Sequence, residues 1–429
     1  MKILIITLGT RGDVQPYVAL GKGLKSAGHE VTLCTCAAFE PFITEHGLSY
    51  AYMNDEIIQM IQSSTGSEIM EDADNFWGMF KVYLRLIKQV APMQRKIMAE
   101  SWRAAQESNP DLILFHVKGL GAPHFAEKLG VPSMMAFYLP IYTPTGAFPA
   151  AGFPNWNLGA WYNRLTYWLI LKVTALACNK YIKPWRKENG LPPLSRKVDT
   201  VHTNAGERIP IAYGYSEHVT PRPADLPDDV KVTGFWFLDR LDDWQPPDEL
   251  VRFLDTGEPP VYVGFGSISG RKPQRTAEIV IEALQRANVR GIIATGWGGL
   301  DASQLPETIF KIEQAPHDWL FPRMAAVVHH GGVGTTSAGL RAGRPTVVCP
   351  FFGDQPYWGS RVHALGVGCK PIPQKKLTPE NLAAAIREVT TNSDIRKNAA
   401  ALGEKIRAEN GVKSAVKFIE GRMREGQKM

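Results

Sequence analysis

The sequence KILIITLGTRGD, residues 2–13, joins an apolar run to a glycine-rich loop near the N-terminus. Such a run predicts a buried strand, and the pattern after it predicts a helix over residues 14–28. The second half repeats this order with an apolar run at 260–265, a small and polar loop at 266–270 and a helical pattern to about Ala287. Both halves therefore predict a parallel sheet covered by helices, the arrangement of a doubly wound α/β domain.

The length and composition of the chain indicate two globular domains. A chain of 429 residues exceeds what one hydrophobic core usually supports. The Asp- and Pro-rich segment 237–249 predicts a linker between an N-terminal domain at 1–236 and a C-terminal domain at 250–404. Apolar residues make up 44% and charged residues 21% of the chain, as in ordinary globular proteins. The net charge of +6 comes without a basic block interleaved with aromatic residues, so we expect no nucleic-acid partner.

Cysteine content and hydropathy bear on location. Five cysteines, an odd number with none in metal-ligand spacing, favour a reduced chain and a cytoplasmic protein. The apolar start is too short for a secretory signal and lacks a small-residue cleavage site, so we expect no leader. The segment 129–163 carries no charged residue, but its prolines interrupt any continuous helix, and no membrane span is predicted.

The pattern Asp72-Ala73-Asp74 is one that could hold a divalent ion. No strand precedes it, and it lies in an acidic patch, so a solvated loop is the preferred interpretation. We therefore predict no metal site.

Two polar motifs follow apolar runs in the second half. The first is HHGGVGTT at residues 329–336, which predicts a strand end that opens into a helix N-terminus. Backbone N–H groups at such a terminus favour an anion such as a diphosphate. The second is PFFGDQ at residues 350–355, where a carboxylate and an amide stand side by side and suit the hydroxyls of a sugar. Together the motifs indicate a nucleotide-sugar ligand.

These motifs resemble the donor-binding signature of the UDP-glycosyltransferase superfamily, the inverting sugar-transfer enzymes of the GT-B fold. The GLRAG run at 339–343 and the PFFGDQP run at 350–356 look most like the sterol glucosyltransferase branch and its bacterial relatives, which glycosylate antibiotic aglycones and lipids. The resemblance covers the whole chain. It implies two facing doubly wound Rossmann-like domains with an interdomain cleft, and a final helix at about 405–429 that packs back on the N-terminal domain.

The resemblance also assigns donor-binding roles, with the diphosphate on His330 and the small residues after it, and the sugar hydroxyls on Asp354 and Gln355. Ser267 lies on a loop that contributes to the phosphates in relatives, and an ordinary turn serine is the alternative. The base-binding loop aligns on residues 314–317, where Gln314 replaces the Trp on which plant enzymes stack uracil. His329 is expected to support the loop. The donor-binding set is Ser267, His317, His330, Gly332, Gly334, Thr335, Asp354 and Gln355.

Asp13 is the candidate catalytic base. Glycosyl transfer requires a group that takes the proton of the acceptor hydroxyl. The run GTRGD at 9–13 resembles the acceptor loop of the antibiotic and sterol branches, in which an Asp is the proposed base. The alternative is that Asp13 only caps the following helix, because Val14, Gln15 and Pro16 are suited to a first helical turn.

The acceptor side has four candidates. His116 follows the apolar strand 111–115, and His124 lies on the next helix, where each has a structural role as the alternative. Trp161 and Trp168 belong to an aromatic cluster that is compatible with an acceptor pocket, with contact to a membrane surface, or with the core of the N-terminal domain. The cluster consists of Trp156, Trp161, Tyr162, Tyr167 and Trp168.

The resemblance implies an inverting, metal-independent enzyme that moves a hexose, in the first case glucose from UDP-glucose, to a hydroxyl of an apolar acceptor such as a sterol. The nucleotide sugar is then a co-substrate, and no cofactor is expected. One alternative is transfer of a deoxysugar to a polyketide, macrolide or rhamnolipid-type acceptor. Another is a non-catalytic partner protein of the same fold.

Overall fold

The computed structural model describes residues 1–62, 93–154, 156–196, 198–240, 244–266, 273–294 and 305–426. These residues form two compact units. The first contains the described parts of Met1–Ile61, Asn75–Leu238 and Asn410–Met429, and the second contains those of Asp239–Glu409. The chain leaves the first unit after Leu238, within the predicted linker at 237–249. It enters the first unit again at Asn410, close to the predicted start of the final helix at about residue 405.

The first unit is built on a seven-stranded parallel sheet in the order β3-β2-β1-β4-β5-β6-β7. Its interior strands are buried on both faces, as expected where helices cover a parallel sheet. The strands are β1 Lys2–Ile6, β2 Glu30–Cys36, β3 Ser49–Met53, β4 Leu112–Phe115, β5 Ser133–Phe137, β6 Ile211–Tyr213 and β7 Val230–Val232.

Among the described residues of this unit, six helices precede the second sheet in the chain. Helix α1 begins at Arg11, three residues before the predicted start, because Thr10 takes the N-cap position and Asp13 lies in the first turn. The helices are α1 Arg11–Ser26, α2 Glu40–Glu45, α3 Glu56–Gln62, α4 at residues 93–108, α5 Ala122–Leu129 and α6 Ala160–Glu188. None of the helices in the described ranges is long and apolar enough to cross a membrane.

The second unit is built on a five-stranded parallel sheet in the order β10-β9-β8-β11-β12. The strands are β8 Val261–Gly264, β9 Gly291–Ala294, β10 Ile309–Ile312, β11 Ala326–His329 and β12 Thr346–Val348. Apolar cores lie on both faces of this sheet, one around Val263 and Val328 and the other around Tyr262 and Val327. Consecutive residues of one strand thus enter opposite cores, as the alternation of side chains along a strand requires.

In the part of the chain that the structure describes after residue 244, seven helices belong to the second unit and an eighth belongs to the first. They are α7 Asp248–Asp255, α8 Pro273–Ala287, α9 His317–Leu320, α10 Val333–Arg341, α11 Gln355–Ala364, α12 Pro379–Thr391, α13 Ser393–Ala408 and α14 Gly411–Gly426. Helix α14 packs on α1, where Val412 lies against Gly23. The His29 ring of the first unit also contacts Glu420 of α14, with 3.1 Å between Nε2 and Oε1.

The strand orders locate the candidate sites. In each sheet the order reverses once, between β1 and β4 in the first and between β8 and β11 in the second. Loops that leave adjacent parallel strands in opposite directions open a crevice at such a point, where ligands of doubly wound folds bind. Asp13 lies just beyond β1, His116 follows β4, and His330 follows β11. These three predicted site residues therefore lie at the two reversal points.

Candidate active site

Asp13 is held in the first turn of α1 by four hydrogen-bond donors, one of which is the Thr10 hydroxyl at 3.3 Å from Oδ2. Its Oδ2 accepts a hydrogen bond from the Thr10 N–H at 2.8 Å. Its Oδ1 accepts one from the Lys118 Nζ and one from the Tyr138 hydroxyl, each at 2.7 Å. Asp13 is thus not the N-cap residue, which is Thr10, although its carboxylate does bond to the N-cap backbone. Capping engages one carboxylate oxygen, and the other faces Lys118 and Tyr138.

The charge state of Asp13 follows from these partners. Burial by itself raises the pKa of the carboxyl group, because an ion is poorly solvated inside a protein. The Lys118 ammonium and the hydrogen bonds from Lys118 and Tyr138 outweigh this effect and lower the pKa to about 2. Asp13 is therefore ionised at neutral pH. Lys118 remains 40% exposed, so it can move away from the carboxylate more easily than the buried Tyr138 can.

His116 lies beside the same carboxylate, with Nε2 at 3.6 Å from Asp13 Oδ1. Its Nδ1 accepts a hydrogen bond from the Lys118 N–H at 3.1 Å, which leaves the ring proton on Nε2. Burial and the nearby Lys118 charge lower the pKa of His116 to about 3, so the ring is neutral. The structure thus brings two predicted residues together, and the acceptor-binding role of His116 stays a prediction.

His124 lies in a different cluster. Its Nδ1 accepts a hydrogen bond from Arg186 Nη1 at 3.1 Å, and Arg186 also forms a two-point ion pair with Glu127 at 2.6 and 2.8 Å. Burial lowers the pKa of His124 to about 4, so the neutral ring can accept this bond. These contacts give His124 a structural role between α5 and α6. Its predicted acceptor-binding role receives no support from them.

The aromatic cluster of the first unit divides into two sets. Tyr162 and Tyr167 are buried, as the core interpretation predicted. That interpretation is wrong for Trp161 and Trp168, which are exposed on α6, and for Trp156, which is exposed just before it. Exposure leaves an acceptor pocket and a membrane surface as the alternatives for these three rings.

In the second unit, His329 supports the loop that follows β11. The ring is fully buried, and its Nδ1 accepts a hydrogen bond from the Gly331 N–H at 2.9 Å. Burial lowers the pKa of His329 well below its ordinary value, so the ring is a neutral acceptor. Gly331 has φ +93°, a conformation that L side chains rarely adopt. The turn therefore requires glycine at this position and a buried acceptor beside it.

His330 occupies a slot between two glycines. A Cβ on Gly332 would lie 2.5 Å from His330 Nε2, and a Cβ on Gly266 would lie 3.2 Å from its Cε1. Burial lowers the pKa of His330 to about 4, against the opposing effect of the Gly264 carbonyl. The imidazole is therefore neutral at pH 7 and can offer an anion a hydrogen bond but no positive charge.

The N-terminus of α10 lies directly beside the His330 ring. Gly332 is the N-cap and has no side chain to bond to the first-turn N–H groups, which lack partners within a helix. Thr336 and Ser337 donate their hydroxyls back to the carbonyls of Gly332 and Gly334, at 2.9 and 3.0 Å. The N–H groups of Val333, Gly334 and Thr335 are thus left as donors for an anion.

Asp354 and Gln355 begin the next helix, α11, next to this loop. A Cβ on Gly331 would lie 3.0 Å from the Gln355 carbonyl oxygen, so the two motifs are in contact. Asp354 Oδ2 accepts a hydrogen bond from Trp358 Nε1 at 2.9 Å. Gln355 Oε1 accepts one from the Phe351 N–H at 2.7 Å, which leaves the amide N–H groups of Gln355 as its donors for a ligand.

His317 lies at the start of α9, after β10. Its ring stacks on Phe321, with 4.2 Å between centroids and 15° between planes, and meets Tyr262 of β8 edge-on at 6.0 Å. The structure therefore places His317 in an aromatic group next to the central strand of the sheet. Ser267 lies outside the described residues, as do Asp72 and Asp74.

Lys118 and Tyr138 are candidate functional residues that the sequence motifs did not reveal. Lys118 comes three residues after β4, and Tyr138 comes directly after β5. Polar residues just beyond neighbouring parallel strands share one edge of the sheet. That rule could have identified Lys118 and Tyr138 as candidates from the sequence, but only the structure shows that both donate hydrogen bonds to Asp13.

Comparison with known protein families gives two matches. Residues 3–147 match the glycosyltransferase family 28 N-terminal domain. Residues 279–420 match the C-terminal domain described as erythromycin biosynthesis protein CIII-like. The first match lies mainly in the first unit, and the second lies mainly in the second unit and ends within α14, which belongs to the first.

Individual relatives match almost the whole chain. A sterol 3-beta-glucosyltransferase of Aspergillus terreus is 37% identical over 98% of this chain, which spans 30% of that protein. A sterol 3-beta-glucosyltransferase of Arabidopsis thaliana is 37% identical over 97% of this chain, which spans 65% of it. The chain thus corresponds to part of each of these longer proteins.

Solved structures show the same fold. The glycotransferase of kitacinnamycin has a TM-score of 0.71 at 19% identity and covers 98% of this chain and 99% of its own. The glycosyltransferase VinC in complex with DTDP has a TM-score of 0.70 at 17% identity and covers 99% of this chain and all of its own. Two parallel-sheet α/β domains of the GT-B type are therefore established.

Proposed function

Because the chain belongs to the UDP-glycosyltransferase superfamily of the GT-B fold, we propose that it transfers a hexose from a nucleotide sugar to a hydroxyl of an apolar acceptor. Glucose from UDP-glucose is the first choice of donor, and a sterol is the first choice of acceptor. The names of the relatives from Aspergillus terreus and Arabidopsis thaliana support this choice. The observation on which the proposal mainly rests is the contact between the His330 loop and the Asp354–Gln355 pair.

That contact provides two kinds of binding group in one place. The N–H groups of Val333, Gly334 and Thr335, together with the His330 ring, supply donors to the oxygens of a diphosphate. Asp354 and Gln355 supply an acceptor and a donor to sugar hydroxyls. His317 supports the nucleotide-base end of the same site. In a nucleoside diphosphate sugar the diphosphate is bonded directly to the sugar, so one ligand can use both of these neighbouring sets of binding groups.

Asp13 is the proposed base. The acceptor hydroxyl would take the place of the exposed Lys118 ammonium at Oδ1, while Tyr138 and Thr10 keep the carboxylate in position. Loss of the Lys118 contact would raise the proton affinity of Asp13 as the hydroxyl arrives. The hydroxyl oxygen then bonds to the anomeric carbon, its proton passes to Asp13, and the carbon–oxygen bond to the nucleoside diphosphate breaks on the opposite face.

We further propose that the leaving diphosphate is stabilised without a metal ion, by the α10 N-terminus and the His330 ring. Backbone N–H groups held by a helix are preorganised for this charge. We also propose a cytoplasmic location, since all five cysteines are free and four are buried.

Transfer of a deoxysugar to a polyketide or macrolide is the second candidate. It is favoured by the match of residues 279–420 to the erythromycin biosynthesis protein CIII-like domain. The likeness to VinC in complex with DTDP is consistent with it. Gln314, at the position where plant enzymes stack uracil, also leaves a thymine nucleotide as an alternative.

One experiment separates these functions. The purified protein is incubated with UDP-glucose or with a thymidine diphosphate deoxysugar, each against a panel of sterols, flavonoids and macrolides, and the products are analysed by mass spectrometry. We expect a gain of one hexose on a sterol with UDP-glucose only. Transfer of the deoxysugar to a macrolide would favour the second candidate. Transfer to no acceptor and no release of UDP would instead indicate a non-catalytic partner protein.

A further inference from the structure

Helix α6 presents a stripe of large apolar side chains to solvent. Trp161, Trp168 and Leu176 are 64%, 52% and 73% exposed. Apart from Tyr52, every large apolar side chain that the described residues expose lies at positions 156–176. Trp161, Trp168 and Leu176 are each separated by about two helical turns, so their side chains lie on one face of the helix. The α6 stripe consists of Trp161, Leu165, Trp168 and Leu176.

The opposite face of α6 fixes this orientation. The buried Tyr162 donates its hydroxyl to the Pro154 carbonyl at 2.8 Å, and the buried Tyr167 donates to the Pro140 carbonyl at 3.3 Å. The stripe therefore cannot turn inward without breaking these contacts, and it stays exposed in the unit as it is folded.

The charge on the exposed side of α6 is of one sign. No acidic residue occurs in the helix before Glu188, its last residue. Arg164 and Arg186 have counter-ions in Asp225 and Glu127, at 3.0 and 2.6 Å. The remaining cations of α6 are exposed, one within the stripe and three beyond it towards the C-terminus. They are Lys172, Lys180, Lys183 and Lys187.

We propose that the exposed face of α6 docks on an anionic lipid bilayer. Tryptophan rings favour the boundary between headgroups and acyl chains, while lysines extend their apolar stems along it and leave their ammonium groups beside phosphates. Each basic residue near an anionic surface contributes attraction. No carboxylate of α6 itself precedes Glu188, and Asp225 beside the helix is paired with Arg164. The stripe from Trp161 to Leu176 is about 22 Å long at 1.5 Å per residue, which suits a helix lying in the membrane plane.

Other occupants fit this face less well. In a symmetric dimer through α6, the lysines of one copy would meet the lysines of the other if the helices were parallel, or its tryptophan end if they were antiparallel, and neither arrangement gives the ammonium groups an anion. A small apolar acceptor would need a concave pocket and would leave the four lysines without a role. An anionic bilayer satisfies both the apolar and the basic part of the face.

The test measures vesicle binding, so it does not depend on sugar transfer. The full-length protein is floated with vesicles of phosphatidylcholine alone and with an equal mixture of phosphatidylcholine and phosphatidylserine. We expect binding to the mixed vesicles and much weaker binding to the neutral ones. Replacing Lys172, Lys180 and Lys183 by Gln should weaken binding by about 100-fold, or about fivefold for each charge. Replacing Trp161 and Leu176 by Gln should weaken it by about tenfold or more.

The matched control replaces three exposed lysines on other helices, Lys397, Lys405 and Lys417, by Gln. It changes the net charge by the same amount and should bind mixed vesicles as the parent does. Circular dichroism checks that each variant is folded. Equal losses in the control and the α6 lysine variant, or equal binding of the parent to both vesicle types, would overturn the proposal. So would light scattering that shows a dimer in the parent and a monomer in the Trp161→Gln, Leu176→Gln variant.

Discussion

Asp13 provides the most direct test at the scale of the residue. Asp13→Asn keeps one side-chain oxygen, which can accept from the Tyr138 hydroxyl or from the Thr10 N–H but not from both, and it removes the negative charge of the base. We expect turnover to fall by about 100-fold or more, the usual contribution of a general base, with UDP affinity unchanged. Initial rates and a UDP titration of the same preparation measure the two effects. Transfer close to the parent's rate would show that Asp13 serves the helix start alone.

Lys118 sets the pH dependence of that base. The Lys118 charge and hydrogen bond help to hold the pKa of Asp13 at about 2, so the parent should keep its activity on mild acidification. In Lys118→Gln the pKa of Asp13 rises, because burial now acts without the cation that opposed it. Asp13 can take a proton only when its carboxylate is ionised. The fall in kcat/KM on acidification should therefore begin at a higher pH in the variant.

The pH profile of kcat/KM for Lys118→Gln is compared with that of Lys128→Gln, which removes an exposed charge from α5. We expect the acid limb to move only for Lys118→Gln. Identical acid limbs in both variants would mean that Lys118 does not act on the base.

His330 and Asp354 should affect different parts of the donor. His330→Ala removes a contact to the diphosphate and should weaken UDP and the UDP-sugar alike. Asp354→Ala removes a contact to sugar hydroxyls and should weaken the UDP-sugar while leaving UDP nearly unchanged. Each loss should be about 1–3 kcal/mol, or roughly 5- to 150-fold in Kd. Calorimetric titration of both ligands measures this, and equal losses in all four experiments would contradict the division of roles.

At the scale of the element, the contact between α5 and α6 includes the ion pair of Arg186 and Glu127, in which only Arg186 is buried. Arg186 is 1% exposed, whereas Glu127 is 32% exposed, so the two partners differ in how well water can reach them. Glu127→Ala leaves a buried guanidinium without its counter-ion and should cost about 3–5 kcal/mol of unfolding free energy. Arg186→Met leaves a carboxylate that water can still reach and should cost less. Urea unfolding measures both variants, and the reverse order would contradict this account.

The same contact explains why His124 was a poor candidate for the acceptor side. Its position on a helix after a strand suggested a site residue, but its ring faces Arg186, which lies far along the chain on α6. A partner so distant in sequence leaves no local pattern. By contrast, the N-terminus of α10 could be predicted because a run of glycines after an apolar strand is itself a local signal.

At the scale of the whole molecule, the proposed reaction should not require a divalent ion. The donor site offers backbone N–H groups and a neutral imidazole for the leaving charge. We expect transfer to continue after dialysis against EDTA, at a rate within about twofold of the untreated protein. Rates with and without added magnesium or manganese check this. Complete loss of activity that either metal restores would contradict the metal-free reaction.

The sequence by itself determined the architecture. Repeated order of apolar run, glycine-rich loop and helical pattern led to two doubly wound domains, because strand burial and helix periodicity are local properties of the chain. The motifs at 329–336 and 350–355 likewise indicated a donor site, since their residues lie close together in the sequence. Strand ends were less well predicted: β1 ends at Ile6, although the apolar run continues to Leu8, whose side chain is still buried.

Only the tertiary structure decided which side chains meet. Lys118 and Tyr138 reach Asp13 because β1, β4 and β5 are neighbours in the sheet, an order that the chain does not display along its length. The structure also decided which aromatic rings are buried, since Tyr162 and Tyr167 face the core while Trp161 and Trp168 face solvent. The physical reason is common to both cases: hydrogen bonds and burial depend on distance in space, and the fold brings together residues that are far apart in sequence.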